Sequence, residues 1–307
     1  MGIADILQPF ASSITYICVL VLATFAITLI FKTSTTTNFA QGSVAVLGCY
    51  VGTSYYLQGK VPLWVGVIIG IVCGVLAGVF IDAVIFRRGR HVNLAGKQII
   101  TMGLVLVIAN IVPMLYYYLT PPTIPPLTSL PDLKIQIGDS VLNVTVHSLI
   151  CLGITVVVLG ILFALLKFSK WGLGVRTTAS NEYVAQMMGV NTHVITALTW
   201  GIAGALGAVA AIMFVSGPGY LTGPYVMTEF QVNSFLAGIL GGFGTFFGPI
   251  VAAVALPVVK NLLGLFANVD GLEWILDYNT VIVYLLTLLV ILIKPNGIFG
   301  KKVVKKV

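Results

Sequence analysis

The chemistry open to this chain is bounded by its few titratable residues. Its three histidines, His91, His147 and His193, lie far apart, and no HExxH, GxSxG or paired-carboxylate pattern links them to a nucleophile or a metal. The four cysteines, Cys18, Cys49, Cys73 and Cys151, sit in apolar stretches without CxxC spacing and read as small core residues. The nearest approach to a phosphate-cradling loop is GRHVNLAGKQ, residues 89–98. Such a loop needs G-x-x-x-x-G-K followed by a magnesium-binding hydroxyl; here His91 stands at the first glycine and Gln98 at the hydroxyl. The expectation is a chain that is no enzyme and binds no cofactor, metal or ATP of its own.

Transporters that couple to ions carry carboxylates or histidines in the membrane core. Here the acids within apolar runs lie near their ends, Asp82 beside a basic flank and Glu229 at the opposite side. The better-placed polar groups are uncharged: Asn38, Gln41, Ser43, Asn110, Gln231, Asn233 and Ser234. Each is a candidate for lining a polar route, and each is equally able to bond across a helix interface.

The elements that must position these groups are membrane helices. Of 307 residues 58% are hydrophobic and 8% charged, with a mean hydropathy of +1.06; soluble domains carry about 25% charged residues. So little charge cannot cover so much apolar surface, and lipid must take the place of water. The net charge of +7 does not indicate nucleic acid, because the basic residues collect at the ends of apolar runs instead of along one face.

A spanning helix needs about 20 apolar residues. Clear candidates are 12–31, 62–86, 98–119, 141–168, 193–215 and 280–293, and weaker, Gly-rich or polar ones are 38–57, 230–247 and 248–267. The fold class expected is an all-α, polytopic transmembrane bundle of about 8–9 spans, in a single domain covering 1–307 with a pseudo-repeat of 1–140 and 141–307. The first run, which lacks a basic flank and a clear cleavage site, is expected to be a retained helix. Twelve of the sixteen basic residues fall in 87–97, 167–176 and the tail from 294, which places those loops and the C-terminus in the cytoplasm. The acidic and proline-rich segments face outside, including a loop with Pro121, Pro122, Pro125, Pro126 and Pro131.

Two stretches interrupt the bundle. NFAQGSVAVLGCYVGT (38–53) and EFQVNSFLAGILGGFGT (229–245) share an ordered pattern of Phe, Ser, Leu-Gly and Gly-Thr, and Gly241, Gly242 and Gly244 break the second. Paired broken helices in two halves point to a transport pathway. Elsewhere Gly66, Gly70, Gly74 and Gly78 recur every four residues, one stripe along which helix backbones approach closely, inside a subunit or at a dimer face.

The polar stretch VRTTASNEYVAQMMGVN (175–191) is too short to span. It reads as a helix capped by Asn181 or Ser180, with Glu182 in its first turn, Val184, Met187 and Met188 on one face, and Gly189 as its stop. An apolar face at cytoplasmic exposure suits a docking helix that enters a groove on a soluble partner.

Together, NFAQGSVAVLGCYVG, GLGVRTTASNEYVAQMMGVN, LAGILGGFGTFFGPIVAA and the basic IKPNGIFGKK resemble, in order and over nearly the whole chain, the LivH-type permease of branched-chain amino acid ABC importers. The resemblance implies one membrane half of an importer that works with a paralogous permease or second copy, ATP-binding ATPase subunits and an external binding protein, in the inner (plasma) membrane of a prokaryote. It makes 175–191 the coupling helix, with Arg176, Ala179, Ala185, Gly189 and Asn191 at the matching positions. The family motif often carries His where this chain has Gln41, which keeps hydrogen bonding but loses the titratable group. Two further readings stay open: a related permease for urea, amides or another small solute, and an ATP-independent secondary transporter.

Overall fold

The computed structural model describes residues 2–89, 92–119, 130–138, 140–217, 225–269 and 271–300. His91, Arg90, the loop prolines Pro121, Pro122, Pro125 and Pro126, Asp139, Asp270 and the basic tail 301–307 lie outside the described residues.

Two helices form the hub. In α2 (Ile14–Ser34) and α9 (Thr192–Val215) apolar residues occupy every side, and other helices cover most of that surface, so that Leu20, Leu22, Phe25, Leu29 and Trp200 are fully or almost fully buried. Around them pack α3 (Gln41–Leu57) and α4 (Leu63–Phe80), both against α9. All four stripe glycines of α4 are buried. A Cβ at Gly66 or Gly70 would overlap the backbone of Gly52 or Gly48 on α3, and one at Gly74 or Gly78 that of Gly204 or Trp200 on α9. The stripe is thus consumed by packing within the chain.

Beyond Phe80 the helix widens into a π-helical turn, Ile81–Phe86. The outer helices are α5 (Leu94–Leu119), α6 (Val146–Phe168), α11 (Phe247–Phe266) and α12 (Trp274–Ile293), which expose Leu106, Val156, Val157 and Leu285. Among the described residues, seven helical segments are long and apolar enough to cross a membrane, the first being α1 (Ile3–Ser12) run together with α2. α1 and α2 meet at Ser13, beyond Pro9, whose carbonyl accepts from Asn261 Nδ2 at 3.1 Å, while the same amide donates to Ser13 Oγ at 2.8 Å.

The two remaining membrane-scale segments, α3 with 17 residues and α10 (Thr228–Gly241) with 14, are the Gly-interrupted ones. At about 1.5 Å per residue they rise about 26 and 21 Å, short of a hydrocarbon core of about 30 Å. Alternate crossing puts the ends of α2, the π turn, α6, α10 and α12 on one side, with Lys32, Arg87, Lys97, Lys167 and Lys294. This is called the basic end below. Lys32 donates from its ammonium to the Gly244 carbonyl, tying α2 to the end of α10.

The opposite end carries a small departure from an all-α bundle: β1 (Asp132–Ile137) and β2 (Ser140–Thr145) form an antiparallel hairpin in register from Asp132↔Thr145 to Ile137↔Ser140. Apolar residues alternating at 133, 135 and 137 are its signal in the sequence. Gln8 of α1 clasps it, donating to Asn143 O at 3.0 Å and accepting from Asn143 N at 2.9 Å.

Candidate coupling elbow and polar cluster

The polar stretch is an elbow of two short helices, α7 (Lys170–Ser180) and α8 (Glu182–Met187). The chain turns from α6 so tightly that a Cβ on Gly172 would overlap the carbonyls of Leu165 and Leu166, and Gly174 leaves room for Ile195 of α9. Arg176 sends its guanidinium back to the Leu166 carbonyl, with Lys167 O at 3.4 Å, where the last carbonyls of α6 would otherwise lack donors. Val175 is fully buried. α7 is therefore wedged between α6 and α9.

Asn181 caps α8, accepting from Val184 N at 3.1 Å. Gly189, at φ +83°, closes it: its N–H donates to Gln186 O, and Val190 N–H to Ala185 O, both at 3.0 Å. Asn191 caps the next helix by accepting from Val194 N at 3.3 Å. Gln186 Nε2 donates to Thr192 Oγ1 at 2.8 Å, and Ala185 is buried against the bundle. The other side of α8 carries apolar side chains in the open: Tyr183 is 71% exposed, Val184 47%, Met187 73% and Met188 79%.

The candidate coupling residues fall into two groups. Arg176, Gly189 and Asn191 shape the elbow, and Ala185 seats it. Val184, Met187 and Met188 form its outward crest, with Glu182 exposed at the first turn and Ala179 half-buried on α7. Tyr183 belongs to that crest and was not among the expected residues; its position next to Val184 on so short a helix is the signal that would have found it.

The polar candidates separate further. Asn38 and Gln41 are buried where α3 begins. Asn38 Nδ2 donates to Gln41 Oε1 at 3.2 Å, and Gln41 Nε2 donates at 2.7 Å to Ala203 O, midway along α9. Gln231, in the first turn of α10, accepts from Gly42 N at 2.7 Å and donates to the Phe39 carbonyl. The starts of the two short segments are thereby joined through one amide cluster on the hub. Thr101 of α5 closes it, accepting from Phe39 N at 3.2 Å. Ser43 is buried one turn along.

A second relay lies toward the hairpin end. Tyr284 donates to Asn233 Oδ1 at 2.9 Å, Asn233 Nδ2 to Tyr16 at 2.6 Å, and Tyr16 to Glu229 Oε1 at 3.2 Å. Ser234 is fully buried, and its hydroxyl has no hydrogen-bond partner among the described residues. Asn110 joins neither group. It is exposed on α5 and donates to its own helix at Leu106 O, 2.7 Å. Gly241 and Gly242 are packing positions, against Gly248 and against residues 296–300, whereas Gly244 is open.

These features define a multi-pass membrane protein of the permease type: a buried helical hub, two short Gly-containing helices meeting on it, and an apolar elbow at one end. A family profile described as "Branched-chain amino acid transport system / permease component" matches residues 10–292, and the chain belongs to that family of transport permeases. The high-affinity branched-chain amino acid transport system permease protein BraD of Pseudomonas aeruginosa is 29% identical over 312 residues, covering 98% of each chain. LivH of Salmonella typhimurium, of the same described system, is 30% identical over 142 residues, a match that spans 46% of this chain and 44% of that protein. The probable LivH of Methanocaldococcus jannaschii is 25% identical over 299 residues, 94% and 90% of the two chains. No solved structure matches the chain.

Proposed function

We propose that the chain is the membrane permease subunit of an ATP-binding-cassette importer that moves branched-chain, hydrophobic amino acids delivered by an external binding protein. The observation that carries this reading is the crest of α8. Four apolar side chains stand exposed beyond the basic end, on an elbow wedged between α6 and α9. Lipid cannot be their solvent there if the basic end is cytoplasmic, so a soluble ATPase is their natural cover. ATP is bound and hydrolysed in that partner, and a paralogous permease or second copy completes the pathway.

Movement has a physical route inward. Gln186 and Thr192 tie the elbow to the first turn of α9, and the middle of α9 holds Gln41, which in turn meets Asn38 and the Gln231 side of the cluster. Closure of the ATPases would shift α9 and so part or rejoin the starts of α3 and α10, giving alternating access. The branched-chain substrate class comes from the named systems of the relatives; urea or a short amide is the outcome that competition assays would otherwise return.

The test is gentle solubilisation of a tagged chain from its native prokaryotic membrane. Recovery with ATPase subunits and a second permease is expected. A chain that comes out alone and transports in vesicles without ATP would overturn the importer reading in favour of a secondary transporter.

A further inference from the structure

Among the described residues, the hub helix α9 is left bare along one stripe. α4 is pressed against it at Gly74 and Gly78, whereas α6 leans on α2, with the rings of Phe25 and Phe163 5.6 Å apart. Between α4 and α6 a groove of about 290 Å³ stays open, floored by Leu198, Ile202, Ala205 and Val209 of α9 and walled by Val75 and Val158 among others. The floor residues recur at steps of three and four, which puts them on one helix face. Their neighbours Ala203 and Ala208 are fully buried, yet Leu198 is exposed and the other three are half-buried. All three helices lie wholly within the described residues.

The groove runs inside three of the membrane-scale helices, where the surrounding medium is hydrocarbon. Its lining holds no polar side chain. A zwitterionic amino acid there would bury both charges without partners, so the groove is no branch of a transport route. Two apolar occupants remain, a helix of a second subunit and a single hydrocarbon chain, and size decides between them. From Leu198 to Val209 α9 rises about 16 Å, roughly half of a hydrocarbon core of about 30 Å, the depth that the chains of one leaflet reach. Spread over that length, the volume leaves a cross-section of about 18 Å². A helix about 10 Å across fills roughly 80 Å² and could only lie over the mouth. We infer that the groove seats one acyl chain of a membrane phospholipid and holds it more firmly than the open faces hold theirs. Its methylenes supply the van der Waals contacts that α9 lacks on that side, and in lipid such contacts, not apolarity, keep helices together. The chain thereby wedges α9 between α4 and α6.

The test reconstitutes the full chain, with the partners that extract with it, into vesicles of phosphatidylcholine carrying a diazirine midway along one acyl chain. The vesicles are then diluted into lipid-free detergent before irradiation, so that lipid on open faces exchanges away and a seated chain stays. Adducts on residues 198–209 and 158–162 should outlast those around the exposed Leu285 of α12 by about tenfold or more. Loss from both at one rate makes the groove ordinary lipid surface and overturns the proposal. Groove adducts in the isolated chain that are missing when its partners are present also overturn it, because a second subunit then covers the groove. Ala205→Leu, which places a side chain in the groove, should abolish the retained adducts and raise the thermal midpoint in lipid-stripping detergent by about 2 °C or more. Ala164→Leu, on an exposed side of α6, should change neither. Retention unchanged in Ala205→Leu puts the chain elsewhere and sinks the assignment. The labelling of the unaltered chain decides the matter even where that variant fails to fold.

Discussion

Glycines on α4 and glycines on α5 and α6 have opposite surroundings. Gly66, Gly70, Gly74 and Gly78 are pressed against the backbones of α3 and α9, while a Cβ added to Gly103, Gly153 or Gly160 would meet nothing within 4 Å among the described residues. In lipid, apolarity gives helices no reason to associate, so what holds α4 to its neighbours is the close contact that the missing side chains permit. The open glycines contribute no such contact within the chain. The same residue type therefore marks a mechanical seam in one region and a free surface in the other, and only the neighbour distinguishes them.

The largest effect expected from breaking this contrast is at the seam. Gly74→Leu must push α4 off the Gly204 carbonyl, at a cost of about 3 kcal/mol or more; the measurement is the fraction of protein recovered monodisperse in detergent, which should collapse. If Gly160→Leu does equal damage, the contrast is wrong. Next comes the elbow, a free surface given a proposed use. Val184→Asp with Met187→Asp should leave insertion and melting unchanged and lower co-purified ATPase by about tenfold or more, as for lost hot-spot contacts. Unchanged ATPase recovery would count heavily against docking through α8.

A smaller loss is expected at the amide cluster. Gln231→Leu leaves the Phe39 carbonyl and the Gly42 N–H without their partner, at about 1–3 kcal/mol, read as a lower midpoint in thermal unfolding. The smallest effect is a gain. Gly160→Ala restricts the backbone of an exposed helical position and should raise stability by about 0.5–1 kcal/mol, whereas Gly74→Ala should lower it. A common sign for the two alanines would erase the distinction between seam and surface.

Much of this was legible in the sequence. The four-residue spacing marked the seam, because that spacing alone stacks residues on one helical stripe, but it could not say whether α3, α9 or another subunit fills the gap. Asn181 and Gly189 bounded α8 because cap and stop chemistry are local. The amides were harder to sort. Asn110 and Gln41 were equal candidates in the sequence, yet one faces outward and bonds its own helix while the other reaches α9; burial depends on neighbours that periodicity does not name. Nothing in IDAVIF announces the π turn at 81–86, since an i→i+5 bond leaves no compositional trace. The hairpin was readable from alternation but was overshadowed by the prolines before it.

The last described residues fold back onto a helix made long before them. Ile298 N–H donates to Leu240 O at 2.8 Å and Phe299 N–H to Gly241 O at 3.3 Å, with Gly242 and Gly297, both at positive φ, nested together. Translation delivers α10 some fifty residues ahead of this clasp. During synthesis the end of α10 must wait, its carbonyls satisfied by water or by the insertion machinery, until residues 297–299 leave the ribosome. The turn at 294–300 can therefore seal the end of α10 only after every long helix has been made.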